Sequence, residues 1–367
     1  MIRWPSGMEK YEEGSVMELR KYLERAVGDQ ASDLFLVAGG PVREKLEGNI
    51  RPMDEKRLLP PDTEKFVSEL YTAANRSMDG YLKRGDDDFS LAVPGLARFR
   101  VNTYRQRGSM AAVIRVVSFD IPDWQEQGIP SQVMDLADIG SGMVLVTGTA
   151  GSGKSTTQAC IIDRINRTRN CHIITLEDPI EFLHRHQKSI VSQREISIDT
   201  EDYLSALRAC LRQAPDVILL GEMRDPETIR TAITAAETGH MVIATLHTKG
   251  AVNAIDRIID SFPSTQQYQI RTQLSTVLRT VVSQQLLPDR DGGQVPACEI
   301  MQMNSAIRSL IRDNKSHQID NVIAAGGKEG MLSMDQSIQA LYREGKITKE
   351  TALEYADHPE QLLRSLG

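Results

Sequence analysis

The chain is poor in aromatic residues, which make up 5% of its 367 positions, and it has only four cysteines. Cys160, Cys171, Cys210 and Cys298 form no C-x-x-C pair, which argues against a zinc site and leaves buried, reduced thiols as the expectation. No apolar run approaches the ~18–20 residues of a membrane span, and the amino terminus lacks the apolar core of a signal peptide. A cytoplasmic location is expected, with any membrane association made through partners. Positive charge is also in deficit: 43 Lys and Arg against 50 Asp and Glu leave a net charge of -7. That balance argues against a general affinity for nucleic acid or anionic lipid. Internal repeats and low-complexity segments are absent too. The 40% hydrophobic content suffices for folded cores, and the length exceeds the about 250–300 residues at which single cores stop growing, so two domains are expected.

The most informative stretch runs Gly148, Thr149, Ala150, Gly151, Ser152, Gly153, Lys154, Ser155, with Thr156 following. It is a G-x-x-x-x-G-K-S phosphate loop between an apolar strand-like run from Met143 and a helical run over Thr157 to Ile165, the context such a loop requires. The glycines let backbone N–H groups curl around phosphates, Lys154 supplies a point charge to the outer phosphates, and the Ser155 hydroxyl can reach a magnesium ion. The chain is therefore expected to bind a nucleoside triphosphate.

Along the chain, residues 1–14 read as a loose extension. A helix from Val16 buries Leu19, Leu23 and Ala26, a strand spans Leu34 to Val37, Gly48-Asn49 marks a hairpin corner, and Asp62 caps a second helix carrying Phe66, Val67, Leu70 and Tyr71. Asp86-Asp87-Asp88 reads as a solvated corner before strands over Phe89–Val93, Leu96–Asn102 and Ala111–Val117. Arg98, Arg100 and Asn102 share one strand face. A solvated face explains Arg98 most simply; Arg115, alone amid apolar neighbours, fits that explanation less well. Residues 15–118 thus form a small α+β domain and 119–137 a Pro- and Gly-containing linker. Residues 138–367 alternate apolar strands (Met143–Thr147, His172–Leu176, Val217–Leu220, Met241–Leu246) with helices, the signature of an α/β parallel sheet. One of those helices starts at Asp225-Pro226. From about 266 onward the pattern reads as mostly helical.

Ligands of open parallel sheets sit beyond the carboxyl ends of the strands. There the second strand leads into Glu177, Asp178 and Glu181, and the third into Gly221-Glu222. One acid in such a place can orient magnesium through water while another positions or deprotonates the attacking water. His240 and His247 bracket the fourth strand, ~23 Å apart if the segment is extended throughout. His247, at the carboxyl end with Thr245 and Thr248, is the candidate for sensing the γ-phosphate. His240 fits packing or a neighbouring subunit better.

Four of these segments, in order, resemble the Walker A, Asp box, Walker B and His box of secretion ATPases: 148–156, 174–181, 217–225 and 234–248. Ala97 to Asn102 and Ala306 to Arg312 resemble features of the pilus retraction branch, and the similarity runs from about Ala31 to Gly345. The resemblance implies an α/β RecA-like P-loop ATPase core with a smaller N-terminal PAS-like α+β domain, using ATP and Mg2+. It implies a homo-hexameric motor that retracts type IV pili for twitching motility through an inner-membrane platform protein, with a paralogous retraction ATPase as a candidate partner. Residue by residue, it makes Glu181 the general base, Glu222 the Walker B acid that holds the metal with Ser155, and Arg100 and Arg115 the arginines that reach nucleotide from the small domain. Phe35, Ser309 and Gly140-Ser141 depart from the family pattern, and the last leaves a further arginine near the nucleotide without its counterpart. The alternatives are a pilus assembly or type II secretion ATPase, whose usual cysteine tetrad is missing here, and a regulatory subunit that binds a paralogue.

Overall fold

The structure, a computed structural model, describes residues 13–46, 48–117 and 121–366. It divides into two compact units, Met1–Phe119 and Asp120–Gly367. The extension expected over residues 1–14 lies outside the described residues up to position 12.

In the first unit, helix α1 (Glu13–Gly28) precedes strands β1 (Asp33–Leu36), β2 (Arg43–Leu46) and β3 (Asn49–Pro52), then α2 (Pro60–Ala73) and α3 (Asp79–Arg84). Strands β4 (Asp86–Val93), β5 (Ala97–Gln106) and β6 (Ser109–Val117) complete an antiparallel sheet ordered β3-β2-β1-β6-β5-β4. Alternation along β5 buries Phe99 and Val101 against Phe66 and Leu70 of α2. Asp62 is not the N-cap of α2, which is Leu59; it sits three residues on, and its carboxylate accepts the Leu59 N–H at 2.7 Å. The acidic corner also differs from expectation. Asp87 is buried, because Arg76, Arg84 and the Tyr71 hydroxyl converge on its carboxylate. These partners outweigh the burial that would push its pKa up and hold it below the usual carboxylate range.

The second unit begins with the segment expected to be a linker, which instead packs. Short α4 (Ser131–Met134) and its flanks bury Ile129, Val133, Met134 and Leu136 in one cluster with the sheet. Pro and Gly punctuate that segment, but its apolar side chains find a partner surface. The following elements are β7 (Gly142–Thr147), α5 (Lys154–Thr168), β8 (His172–Glu177), β9 (Ile190–Glu195), α6 (Tyr203–Cys210), β10 (Val217–Leu220), α7 (Pro226–Glu237) and β11 (Met241–Leu246). Next come α8 (Ala251–Asp260), α9 (Ser264–Val277), β12 (Leu278–Pro288) and β13 (Gln294–Gln302). The mostly helical reading from 266 is thus corrected: β12 and β13 form an antiparallel hairpin, and only beyond it do helices dominate. These are α10 (Ser305–Arg312), α11 (Ile319–Ala325), α12 (Met334–Arg343), α13 (Lys349–Tyr355) and α14 (Pro359–Leu366).

The sheet runs β13-β12-β7-β11-β10-β8-β9, with every pair parallel except β12 and β13. β7, β11, β10 and β8 are the four central parallel strands, and their residues are buried almost without break, as a parallel sheet covered on both faces requires. Parallel direction brings the carboxyl ends of all four strands to one edge. Among the described residues no helix is long and apolar enough to cross a membrane.

Candidate nucleotide-binding site

Each of these four strands delivers a functional segment to that edge. The loop after β7 bends through Gly148, Gly151 and Gly153, all at positive φ, a conformation that side chains oppose. At Gly153 the positive φ alone opposes a side chain, and a Cβ there would also lie 2.8 Å from Gln284 Nε2, so the glutamine would have to shift. Lys154 opens α5 and is buried, its ammonium donating to the carbonyls of Gly148 at 2.9 Å and Thr149 at 2.8 Å. Burial lowers its pKa, with the charges of Glu222 and Glu181 acting in the opposite direction.

A cavity of about 240 Å³ opens beside this loop. Its lining includes Ala150, Gly151, Lys154 and Ser155 of the loop and α5, together with Glu177, Asp178, Glu181, Glu222 and His247. Glu222 follows β10, with its Oε2 2.6 Å from Arg224 Nη2 and its Oε1 3.4 Å from His247 Nε2. Burial would raise the Glu222 pKa, but the Arg224 guanidinium above all, with the His247 ring beside it, prevails and holds it below the ordinary value. Glu177 behaves in the opposite way. Burial and the charges of Glu181 and Glu195 push it up to about 7 against the hydrogen bonds it accepts from Thr175 (2.6 Å) and Gln193 (3.2 Å). The site therefore holds one carboxylate kept ionised and one poised to carry a proton near neutrality. Thr245 donates its hydroxyl to the Gly221 carbonyl, tying the ends of β10 and β11 together. Gln158, in the second turn of α5, is buried and lines the cavity, with its Nε2 unpartnered among the described residues.

Other expected residues fall elsewhere. Thr149, Ser152 and Thr156 belong to the loop and first turn of α5 without lining the cavity, and so do Gly148 and Gly153. His240 stands at the opposite end of β11 from His247, its Nδ1 2.9 Å from the Ala235 carbonyl of α7 and 3.2 Å from the Thr238 hydroxyl. Gly140 and Ser141 likewise precede β7 at the end away from the phosphate loop. In the first unit, Arg100 and Arg115 are exposed and directly opposite one another on β5 and β6. Such a like-charge pair disfavours the sheet; Asp33, 2.9 Å from Arg115, offsets it in part. In α10, Ile307 and Ile311 are buried, Leu310 is half-buried, and Arg308 donates to the carbonyls of Ser275 and Thr276 at the end of α9. Sequence reasoning passed over Arg224, Gln158, Tyr203 and Gln284. The last two come from segments far along the chain with no motif of their own.

A glycine-rich loop between the first strand and helix of a parallel sheet, with acids and a histidine at the ends of the neighbouring strands, defines the second unit as a RecA-like P-loop ATPase core. Residues 9–366 match the model of the type II/IV secretion system protein family, and the chain belongs to that family. It is 43% identical over 346 residues to the type IV pilus retraction ATPase PilT of Pseudomonas aeruginosa, covering 94% of this chain and 99% of that protein. A twitching motility protein of Neisseria gonorrhoeae is 44% identical over 319 residues, covering 87% of this chain and 85% of its own length. Among solved structures, a pilus retraction motor PilT with bound ADP superposes with a TM-score of 0.86 at 45% identity, over 94% of this chain and 98% of that one.

Proposed function

We propose that this chain, a P-loop ATPase, powers the retraction of type IV pili by hydrolysing ATP, and that it works as a cytoplasmic homo-hexamer on the inner-membrane platform of the pilus machine. The observation that carries the catalytic part is the convergence of Lys154, Ser155, Glu181, Glu222 and His247 on one cavity. The near full-length likeness to retraction ATPases supports the biological part.

In this reading the N–H groups of the phosphate loop and the first turn of α5 hold the β- and γ-phosphates, and the Lys154 ammonium exchanges its loop carbonyls for phosphate oxygens. Glu181 takes the proton of the attacking water, while His247 reports the γ-phosphate to Glu222 through their 3.4 Å contact. The donor set fits a hard divalent ion: the Ser155 hydroxyl and the Glu222 carboxylate line the same cavity and would hold Mg2+. When bound, that ion supplies charge neutralisation at the phosphates. Arg100 and Arg115 add positive charge at the transferring phosphoryl group of a nucleotide held by a neighbouring subunit. A retraction motor of this kind can share its work with a paralogous ATPase.

Deleting the gene and counting surface pili tests the reading. Excess pili are expected for a retraction motor; loss of pili would mean assembly and would overturn it.

A further inference from the structure

Two adjacent positions of the β12–β13 hairpin reach two walls of the site, the phosphate loop and the loop after β11. β12 pairs with β7 up to Ser283, opposite Thr147, and then runs on beside the phosphate loop. At the next position Gln284 is 2% exposed. Its side-chain oxygen accepts the Thr157 hydroxyl of α5 at 2.7 Å, and its Nε2 lies 2.8 Å from the place where a Cβ of Gly153 would stand. At the other end of the loop, a Cβ on Gly148 would collide with the Gln284 carbonyl. One side chain and its own backbone thus brace both ends of the phosphate loop.

Ser283 points the other way, since neighbouring strand residues alternate. Its hydroxyl accepts the Gly250 N–H at 2.8 Å. Its partner across the hairpin, Glu299, accepts the Ala251 N–H at 2.7 Å. These are the first N–H groups of α8, which leave the helix unpaired, and the N-cap residue is Gly250, whose side chain can offer nothing. The hairpin supplies the missing cap from a distance. The four-residue segment between β11 and α8 is His247 to Gly250, so fixing the start of α8 fixes the loop that presents His247 to Glu222.

We propose that the β12–β13 hairpin is the positioning frame of the hydrolysis site: Gln284 sets the phosphate loop, and the Ser283–Glu299 pair sets the His247 loop. This rests on the ATPase reading of the cavity. The two duties separate by variant. Gln284→Ala weakens nucleotide affinity about tenfold, the equivalent of one buried hydrogen bond and its orphaned partner. Glu299→Ala lowers kcat about tenfold through loss of the same kind of bond while affinity stays within about twofold. Glu299→Gln keeps an acceptor for the Ala251 N–H and restores most of that kcat, and Ser283→Ala, a smaller change that serves should Glu299→Ala not fold, lowers kcat in the same sense.

The experiment is steady-state hydrolysis and fluorescent-nucleotide titration on the full-length protein and the four variants, beside thermal melting. Separate losses, affinity for Gln284 and kcat for Ser283 and Glu299 with rescue by Gln at 299, support the frame. Unchanged kinetics, or losses of kcat and affinity that track the melting temperature for every variant alike, overturn it. Wild-type protein without hydrolysis would overturn the ATPase reading and the frame together.

Discussion

Glu222→Gln is the sharpest perturbation of the site, because it removes a charge and keeps the shape. The wild-type carboxylate is held by Arg224 at 2.6 Å and His247 at 3.4 Å. Arg224 is 71% exposed, so the lost ion pair is worth at most about 1 kcal/mol, and relief from burying a charge offsets part of that. Stability should therefore move by less than about 1 kcal/mol. Lys154 loses one of the two acids that favour its charge, yet it keeps its phosphate partners, so nucleotide affinity should stay within a few-fold of wild type, about 1 kcal/mol. Turnover should not. An acid that orients the reacting water or metal contributes on the order of 10²–10⁴ in rate, or about 3–5 kcal/mol of barrier. Phosphate release and nucleotide titration on one preparation measure both. A variant that hydrolyses within threefold of wild type, about 0.7 kcal/mol, would remove Glu222 from the chemistry.

Lys154→Ala should instead weaken nucleotide binding by at least about tenfold, since the lysine contacts phosphate in the ground state as well as the transition state; equilibrium titration decides. Arg100→Ala or Arg115→Ala should each slow hydrolysis by about 10³-fold, an arginine-finger effect, and mixing either with Lys154→Ala should recover part of the activity in mixed rings. Inactive mixtures in rings that demonstrably form would place these arginines outside the neighbour's site. Arg308→Glu should lower stability by about 1–2 kcal/mol, because it removes a charged donor from the Ser275 and Thr276 carbonyls, whereas Arg312→Glu, on the exposed side of α10, should change it by less than about 0.5 kcal/mol. Comparative denaturant titration reads the difference. Glu177, pushed up to about 7, binds its proton more tightly folded than unfolded. Its contribution to stability is full below about pH 4.5 and is lost as pH rises to about 7, on the order of 1–3 kcal/mol. Glu177→Gln should flatten the melting temperature over that window relative to wild type, and an unchanged slope would refute the raised pKa of this carboxyl.

The legible parts of this chain were those in which local pattern and final environment agree. The apolar runs of β7, β8, β10 and β11 lie in the middle of a sheet, and Asp225 caps α7 by accepting the Thr228 N–H at 2.8 Å. The phosphate loop was readable because its glycine pattern follows from local backbone geometry, the positive φ values of Gly148, Gly151 and Gly153. β12 was not, since its interior carries Ser283, Gln284 and Gln285, all buried. For Ser283 and Gln284 the polarity is answered by the start of α8 and by α5, partners that only the tertiary structure supplies. Asp87 was misread for the same reason: an acidic triplet looks solvated until Arg76 and Tyr71, from the end of α2 and just beyond it, close over the middle member. β9 is short, with exposed or half-buried residues at four of its six positions, so its strand period was faint. The segment before β7 carries turn residues between apolar ones, and composition alone does not tell a packed loop from a free one.

Pilus retraction driven by hydrolysis at this cavity can be observed in cells. Its most direct measurement is the count of surface pili and retraction events in cells that lack the gene and are complemented with wild type or with Glu222→Gln. Wild type should restore retraction and a normal pilus number, while Glu222→Gln, expressed to the same level, should leave cells with excess pili that do not retract. Retraction at the wild-type rate with the Glu222→Gln protein, shown to be inactive in hydrolysis, would contradict the account.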